Sequence, residues 1–548
     1  MPQRAGITTG SKTAAALAAM ALLIVLARTR TFNEPLERDL LTYATIGHEM
    51  LSGQRLYTDV WDVKPPGLYA TYALAERIAG HGAAAVFLLG VGAALATLLA
   101  VYAGGAAIGT KAGLWSAAFW TVLCGTLVIQ ANQPNSEVFI NGCYAGGFAL
   151  LVRHPPGRAA WGRMALVGLL LAFGSTYKPI LAILAVFVLA AHFLAPPAGL
   201  PRKTVLAESL VVGAMGLLVW GAIFGYAVAT GQAAIYWATN VTMNGARSAG
   251  LLFNLYRYLR EGKIFPANLL FVAPAVVLVV VGTAVGLRRG WQREWVLFVG
   301  LALGVHAMIV IQGGAFHPHS YQLWLPTLAL GVGWATATVS VTAPPSTSGH
   351  PSTRPWLGDV LAGVALAVVL VHEVPNYTLS SDDWARRKYG ETVVEDRAFA
   401  YAVSGLLLPS ETLFEYGDGA AFYYYGGLRP TTPTLWTSQL LSSTALAAQL
   451  GAVTLQALKS HPPDLLVIHS RDEWRPQAPT RTPGLAARLL GRADQLAGVI
   501  AWDQHPIYEW AMANYRPWQP DARLGVRSTH LDLFVHTGSA LDRRLVGN

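Results

Sequence analysis

The chain has little charge and almost no cysteine. Only 13% of its 548 residues are Asp, Glu, Lys or Arg, where soluble domains carry roughly 25%. That scarcity, beside 53% hydrophobic residues, excludes an ordinary soluble fold. The two cysteines, Cys124 and Cys143, both fall inside apolar runs. They exclude a disulfide framework, and two separated thiols cannot build a cysteine metal site. No Walker A loop is present, and no nucleotide fingerprint stands in a strand–helix context. A cytosolic ATP-driven mechanism is thereby excluded, and the energy must come from a gradient or an activated substrate. No internal repeat is visible.

What the chain does have is a series of apolar runs near 20 residues long, the mark of an α-helical polytopic membrane protein. Spans are expected near 12–28, 83–107, 113–131, 137–152, 164–178, 179–196, 204–230, 267–287, 294–312, 321–342 and 357–373, about eleven in all. The N-terminus has the charge pattern of a signal peptide, though without a convincing cleavage site. The stretch 66–80 is too short to span and carries Glu76 and Arg77. It is expected to be a juxtamembrane helix.

Charge tests this count. If 66–80 does not cross, one side of the membrane receives Lys111, Arg153/Arg158/Arg163, Arg202/Lys203, Arg288/Arg289/Arg293 and Arg354. Every short basic loop then lies inside, as the positive-inside rule requires. The net charge of +9 is accounted for in this way, and nucleic acid is not an expected partner. The outside receives the loop 29–65, the segment 132–137, the stretch 231–263, the segment 316–321 and everything after Val374. The segment 343–356 is rich in Pro, Ser and Thr and reads as a linker. After Val374 the composition becomes that of a soluble domain. Strands are expected at 412–416, 464–469 and 531–536, and helices near 384–407, 440–460 and 484–500, which together make a small α/β domain. The division is therefore 1–373, transmembrane with a first outer loop at 29–82, and 374–548, soluble and extracytoplasmic.

The stretch from Glu37 to Gly67 stands out, dense in ionisable groups between apolar segments. Asp39 and Tyr43 share a face if the segment is helical. Asp39 could accept a proton from a hydroxyl, bind a metal through oxygen, or simply complement a helix dipole. Lys64 is followed by Pro65 and Pro66, which fix the backbone and offer no amide donors. A lysine held there suits a phosphate, or it snorkels at a helix start. Asn135 and Glu137 stand at the mouth of the third and fourth spans. Lys178-Pro179 separates two apolar runs at the same level. His317, His319 and Tyr321 cluster at another outer turn, as phosphate or sugar ligands, a metal pair lacking a third ligand, or interfacial packing.

Taken in order, these motifs resemble the GT-C glycosyltransferases of family 39 type, which include aminoarabinose transferases and protein O-mannosyltransferases. The matching residues are Asp39 with Tyr43, the run from Tyr57 to Lys64-Pro65-Pro66-Gly67, the polar segment Asn135-Ser136-Glu137, Lys178-Pro179, and His319-Ser320-Tyr321 leading to Leu325-Pro326. Two departures are that an acid precedes Asp39 at Glu37, and that Ser320 separates His319 from Tyr321. The resemblance implies a sugar donor carried on polyprenyl phosphate, with membrane lipids around the chain. Asp39 would act on an acceptor hydroxyl of a lipid, glycan or protein. Lys64, Lys178, His317, His319 and Tyr321 would meet the donor, and Tyr43, Asp59, Asp62, Asn135 and Glu137 the sugar or acceptor. Transfer would be inverting and would serve cell-envelope glycosylation at the inner membrane. No cofactor is required by the motifs, though a divalent cation would help neutralise the leaving phosphate. The alternatives are a transporter of a lipid-linked saccharide, which would want charges buried mid-span and repeated halves, and a membrane-anchored glycan-binding subunit.

Overall fold

The computed structural model describes every residue except 1–2, 244–250, 291, 313–315, 341–354, 443, 470–499, 520–523 and 547–548, with side chains from Gly10 onward. The linker expected at 343–356 and the helix expected near 484–500 therefore lie almost wholly outside the described residues.

Each of the expected apolar segments is helical over most of its length, although the one expected at 113–131 leaves the α-helix after Leu123 and continues only as the 3₁₀ turn Leu127–Ile129. The first nine helices are α1 (Gln3–Thr29), α2 (Arg38–Leu51), α3 (Pro66–Ala79), α4 (Ala83–Gly105), α5 (Thr110–Leu123), α6 (Ser136–Val152), α7 (Trp161–Ser175), α8 (Leu181–Leu194) and α9 (Arg202–Ala229). Later apolar helices cover Ala273–Arg288, Arg293–Ile311, Leu325–Val339 and Leu357–Glu373. Among the described residues, six helical stretches are long and apolar enough to cross a membrane, and α6, α7 and α8 are shorter apolar helices. The expected spans at 267–287 and 321–342 each begin with a 3₁₀ turn, Ala267–Val272 and Pro318–Trp324.

The described residues fall into two compact units, both discontinuous in sequence. The first comprises Met1–Phe32, Val86–Gly225 and Asn254–Ser380. Its centre is an aromatic knot. Trp334 lies 5.7 Å from Trp295, 5.8 Å from Phe298 and 5.9 Å from Phe148, ring to ring. Small residues bring the helices that close, as they do in membranes generally. A Cβ on Gly358 would meet the Thr336 carbonyl at 2.0 Å, so that crossing admits only glycine. Buried Arg28 ends α1 by donating to the carbonyls of Cys124 (2.9 Å) and Ala131 (3.2 Å). Gln322 donates to the carbonyls of Ile129 and Gln130, both at 3.0 Å. Between them these two side chains fix the loop that leads into α6.

The second unit comprises Asn33–Ala85, Tyr226–Phe253 and Ser381–Asn548. Its sheet has strands β1 (Leu413–Tyr416), β2 (Leu465–His469), β3 (Tyr515–Trp518) and β4 (Leu531–His536), in the order β1-β2-β4-β3. β1 and β2 are parallel, with Leu413 opposite Leu465. β4 runs antiparallel to both β2 and β3. Three of the strands lie where the apolar runs placed them. β3, Tyr-Arg-Pro-Trp, has too weak an alternation to be read in advance. Its proline sits on an edge strand, where a missing donor is tolerated.

The 33–85 segment belongs to this unit through specific bonds. The Glu34 and Lys388 side chains form an ion pair with almost no solvent exposure. Leu36 N donates to the Tyr425 hydroxyl (2.7 Å), and the Trp436 indole donates to the Thr42 hydroxyl (2.6 Å). Trp61 N donates to the Pro433 carbonyl (2.7 Å), and its indole donates to the Thr239 hydroxyl (3.0 Å). Helices α2 and α3 cross at Gly47, where a Cβ would come within 2.9 Å of the Ala73 nitrogen.

Candidate active site

The residues singled out by sequence form two groups, one in each unit. In the second unit, α2 starts at Glu37, whose carboxylate accepts from the Asp39 amide at 2.9 Å. An acid at this position satisfies one of the four orphan donors of the helix. Asp39 is half-buried in the first turn, where the macrodipole favours a carboxylate. Burial, and then the Asp39 charge, push the Glu37 carboxyl up to about 8, against the pull of Arg38 and Lys64. Glu37 is therefore largely protonated near neutrality. Arg38 lies over the Trp436 ring, 5.5 Å from its centre.

Tyr43 lies one turn on from Asp39, as the helical spacing required. It is buried against Tyr69 (6.1 Å) and Tyr72 (5.8 Å). Burial, then Asp39, hold its phenol well above the ordinary range. Its hydroxyl finds no hydrogen-bond partner among the described residues.

Lys64 is positioned through its backbone. Its carbonyl accepts from the Tyr57 hydroxyl at 2.7 Å, and its amide donates to the Tyr69 hydroxyl at 3.3 Å. Tyr69 in turn donates to Asp62 at 2.5 Å. Pro65 caps α3 and Pro66 opens it, so the backbone from 64 to 66 is set for the helix. Tyr57 itself sits at φ 72°, a conformation that costs a bulky residue about 1–3 kcal/mol. The hydroxyl bond to Lys64 and the ring contact with Tyr236 (5.7 Å) hold it there. Asp62 thus braces the turn that carries Lys64. Asp59 is bound bidentately by Arg55 at 3.0 Å and accepts the Arg55 amide at 2.9 Å, which gives it a local structural task.

In the first unit, Asn135 caps α6 and accepts from the Ser136 amide at 2.7 Å. Glu137, with no exposed side-chain surface, is ion-paired with Lys178 and accepts from the Ser136 hydroxyl at 2.9 Å. Lys178 stands where the chain passes from α7 to α8. Its ammonium also lies 3.5 Å from the Gln312 side-chain oxygen, which accepts from the Ser320 hydroxyl at 2.8 Å. His317 and His319 stack at 5.4 Å with rings 13° apart. The turn before them begins at Phe316 with φ 49°. Tyr321 is committed elsewhere, donating to the Lys263 carbonyl at 2.8 Å.

Gln312 and Ser320 belong to this network although neither stood out in the sequence. The signal that marks Gln312 is a single amide at the end of an otherwise apolar helix. Glu37 was visible only as the acid before Asp39. Among the described residues, two clusters of histidine and glutamate have ligand atoms within 4.8 Å of one another, His48/Glu76/His81 and His154/His192/Glu208. Neither includes a residue expected to bind substrate.

No family model matches the chain, and none of the curated proteins matches it. Solved structures do. The chain is similar to ArnT from Cupriavidus metallidurans in the apo state, with TM-score 0.60, 14% identity and coverage of 96% of this chain and 98% of that one. For ArnT bound to undecaprenyl phosphate the values are 0.59, 13%, 95% and 98%. For the oligosaccharyltransferase AglB from Archaeoglobus fulgidus, in complex with an inhibitory peptide and a dolichol-phosphate, they are 0.52, 11%, 98% and 77%. At such identities the likeness is one of fold. The chain has the GT-C fold, a polytopic helical membrane protein with a C-terminal α/β region, as its motifs led one to expect.

Proposed function

We propose that this protein is an integral-membrane glycosyltransferase that moves a sugar from a polyprenyl-phosphate carrier to an acceptor hydroxyl. The observation that carries the reading is the GT-C fold over nearly the whole chain, matched to a transferase crystallised with undecaprenyl phosphate. The chemistry of Asp39 and Lys64 supports it.

The acceptor oxygen forms a bond to the anomeric carbon while the bond from that carbon to the phosphate oxygen breaks. The acceptor proton passes to Asp39 as general base. The electron pair leaves with polyprenyl phosphate, and attack opposite the leaving group inverts the anomeric centre. Lys64, locked by its proline pair and by Tyr57 and Tyr69, places a point charge for the phosphate. Lys178, steadied by Glu137, supplies a second cation, and His317 and His319 supply hydrogen bonds. A divalent cation, if bound, would add charge neutralisation at the leaving phosphate. The catalytic residues all lie within 1–373. The 374–548 domain, extracytoplasmic by the charge rule, shapes the choice of acceptor, and the enzyme works at the outer face of the inner membrane.

The test is Asp39→Asn assayed in membranes with a polyprenyl-phosphate sugar donor. Transfer should fall by about 10²–10⁴-fold, the usual worth of a general base. Undiminished transfer would overturn the role of Asp39.

A further inference from the structure

We propose that His48, Glu76 and His81 form a binding site for a zinc-class divalent cation that clips the α2–α3 corner together. The argument starts from hydrogen-bond bookkeeping. The His81 Nε2 lies 3.1 Å from the Tyr424 carbonyl oxygen, which can only accept, so Nε2 carries the hydrogen. In neutral His81 the remaining lone pair is on Nδ1. That nitrogen faces Glu76 Oε2 at 3.3 Å, and a carboxylate also only accepts. Two acceptors face each other, and a proton or a cation must stand between them. The other Glu76 oxygen, Oε1, meets His48 Nδ1 at 2.6 Å. One carboxylate therefore gathers two imidazoles, whose rings are 4.8 Å apart.

The geometry suits a metal. Bonds of about 2.0–2.2 Å at tetrahedral angles put neighbouring ligand atoms about 3.3–3.6 Å apart. The His81–Glu76 distance is already 3.3 Å, and His48, with 42% of its side chain exposed, is free to widen its own. A histidine whose second nitrogen donates to a carbonyl is the usual outer support of a metal ligand. His81 is also aimed by its backbone. It lies between Gly80 at φ 81° and Gly82 at φ 122°, and only glycine adopts such angles at no cost. The crossing at Gly47 brings the end of α2 beside α3, so that His48 and Glu76 meet. Exposure of His48 and His81 leaves access for the ion and for a water as fourth ligand. Two imidazoles and a carboxylate favour zinc and its late first-row neighbours over magnesium or calcium.

The second cluster shares the hydrogen-bond pattern, because His154 stands between the Pro155 carbonyl (2.8 Å) and the Glu208 carboxylate (3.0 Å), but it differs in charge and access. There Arg293 donates to His192 Nδ1 at 3.3 Å, which places a guanidinium beside the ligands. Glu208 already accepts from the Ala160 amide and from His154, and the side chains are sealed from solvent.

The test uses the full chain, purified in detergent with a tag that contains no histidine, stripped with chelator and titrated with zinc chloride by calorimetry. One zinc per chain is expected, with a rise in thermal stability on loading. The double variant His48→Ala/His81→Ala should bind at least about tenfold more weakly and lose that rise, whereas His192→Ala should behave as wild type. Glu76→Gln keeps the side-chain volume and decides the matter should the double variant elute as aggregate. Equal zinc affinity in wild type and Glu76→Gln, or no uptake by the wild type, overturns the proposal. Because the readout is binding and melting, it stands apart from any assay of sugar transfer.

Discussion

The two units treat charge in opposite ways. In the first, Glu137 is withdrawn completely from solvent and matched by Lys178, with Ser136 and Gln312 closing the arrangement. A buried carboxylate in an apolar helix is tolerable only when paired and hydrogen-bonded. In the second, Glu37, Asp39 and Lys64 all remain partly open, and Glu37 and Asp39 share the start of α2, where the neighbouring Asp39 charge helps push the Glu37 carboxyl up. Charges that serve structure alone are sealed away with their partners, whereas ionisable groups that remain partly open and shift one another's pKa are of the kind found at functional sites. The second unit also shows the first behaviour, in the Glu34–Lys388 pair, so the contrast belongs to the sites and not to the units as such.

Five substitutions sharpen that contrast. Asp39→Asn should abolish most transfer, by about 10²–10⁴-fold, while the melting temperature of the purified protein moves little. A matching loss of stability would mean that Asp39 is a structural cap. Lys178→Met should strand the Glu137 charge and destabilise the first unit by about 3–5 kcal/mol. The double variant with Glu137→Gln should recover much of that loss in a thermal melt, and strict additivity would show that the pair is not coupled.

Glu37 gives a pH signature. Its carboxyl is raised from 4.5 to about 8 by burial and by Asp39. The folded state thus holds this proton more tightly than the unfolded chain. The corresponding stability is fully present below about pH 4.5 and is lost as pH rises through about 8. Glu37→Gln, which cannot ionise, should therefore gain on the wild type in melting temperature as pH rises from 5 to 9. An unchanged difference across that range would refute the shift. Asp59→Ala removes a partly exposed pair with Arg55 and should cost only about 0.2–1 kcal/mol, with transfer unaltered. A large loss of transfer would return Asp59 to the sugar site.

Much of the fold was legible in advance because its cause is local. Runs of apolar residues must be helical wherever they meet lipid. Lys64-Pro65-Pro66 announced a helix start, since proline sets its own φ and that of its neighbour. The same locality explains the misses. Strand β3 is an edge strand with a proline and no clean alternation, recruited by β4. Asp62 and Asp59 looked alike in sequence, one near a lysine and one near an arginine. Only the folded turn gives the first to Tyr69 and the second to Arg55. Likewise only the folded chain shows that the Tyr321 hydroxyl donates to the Lys263 carbonyl, a partner 58 residues away in sequence.

By itself the sequence determined the membrane class, the helical segments and their order, the dense polar stretch after α1, and the pairing of Asp39 with Tyr43 on one helix face. Each follows from composition or from spacing along a single element. Tertiary structure decided which charges neutralise one another. Lys178 goes to Glu137, Glu34 goes to Lys388, and His48 and His81 meet over Glu76. It also decided that the 33–85 segment is bonded into one compact unit with residues beyond 380. Such pairings depend on distances between elements far apart in the chain, and burial fixes their strength. Neither quantity is written in the spacing of residues along a strand or helix.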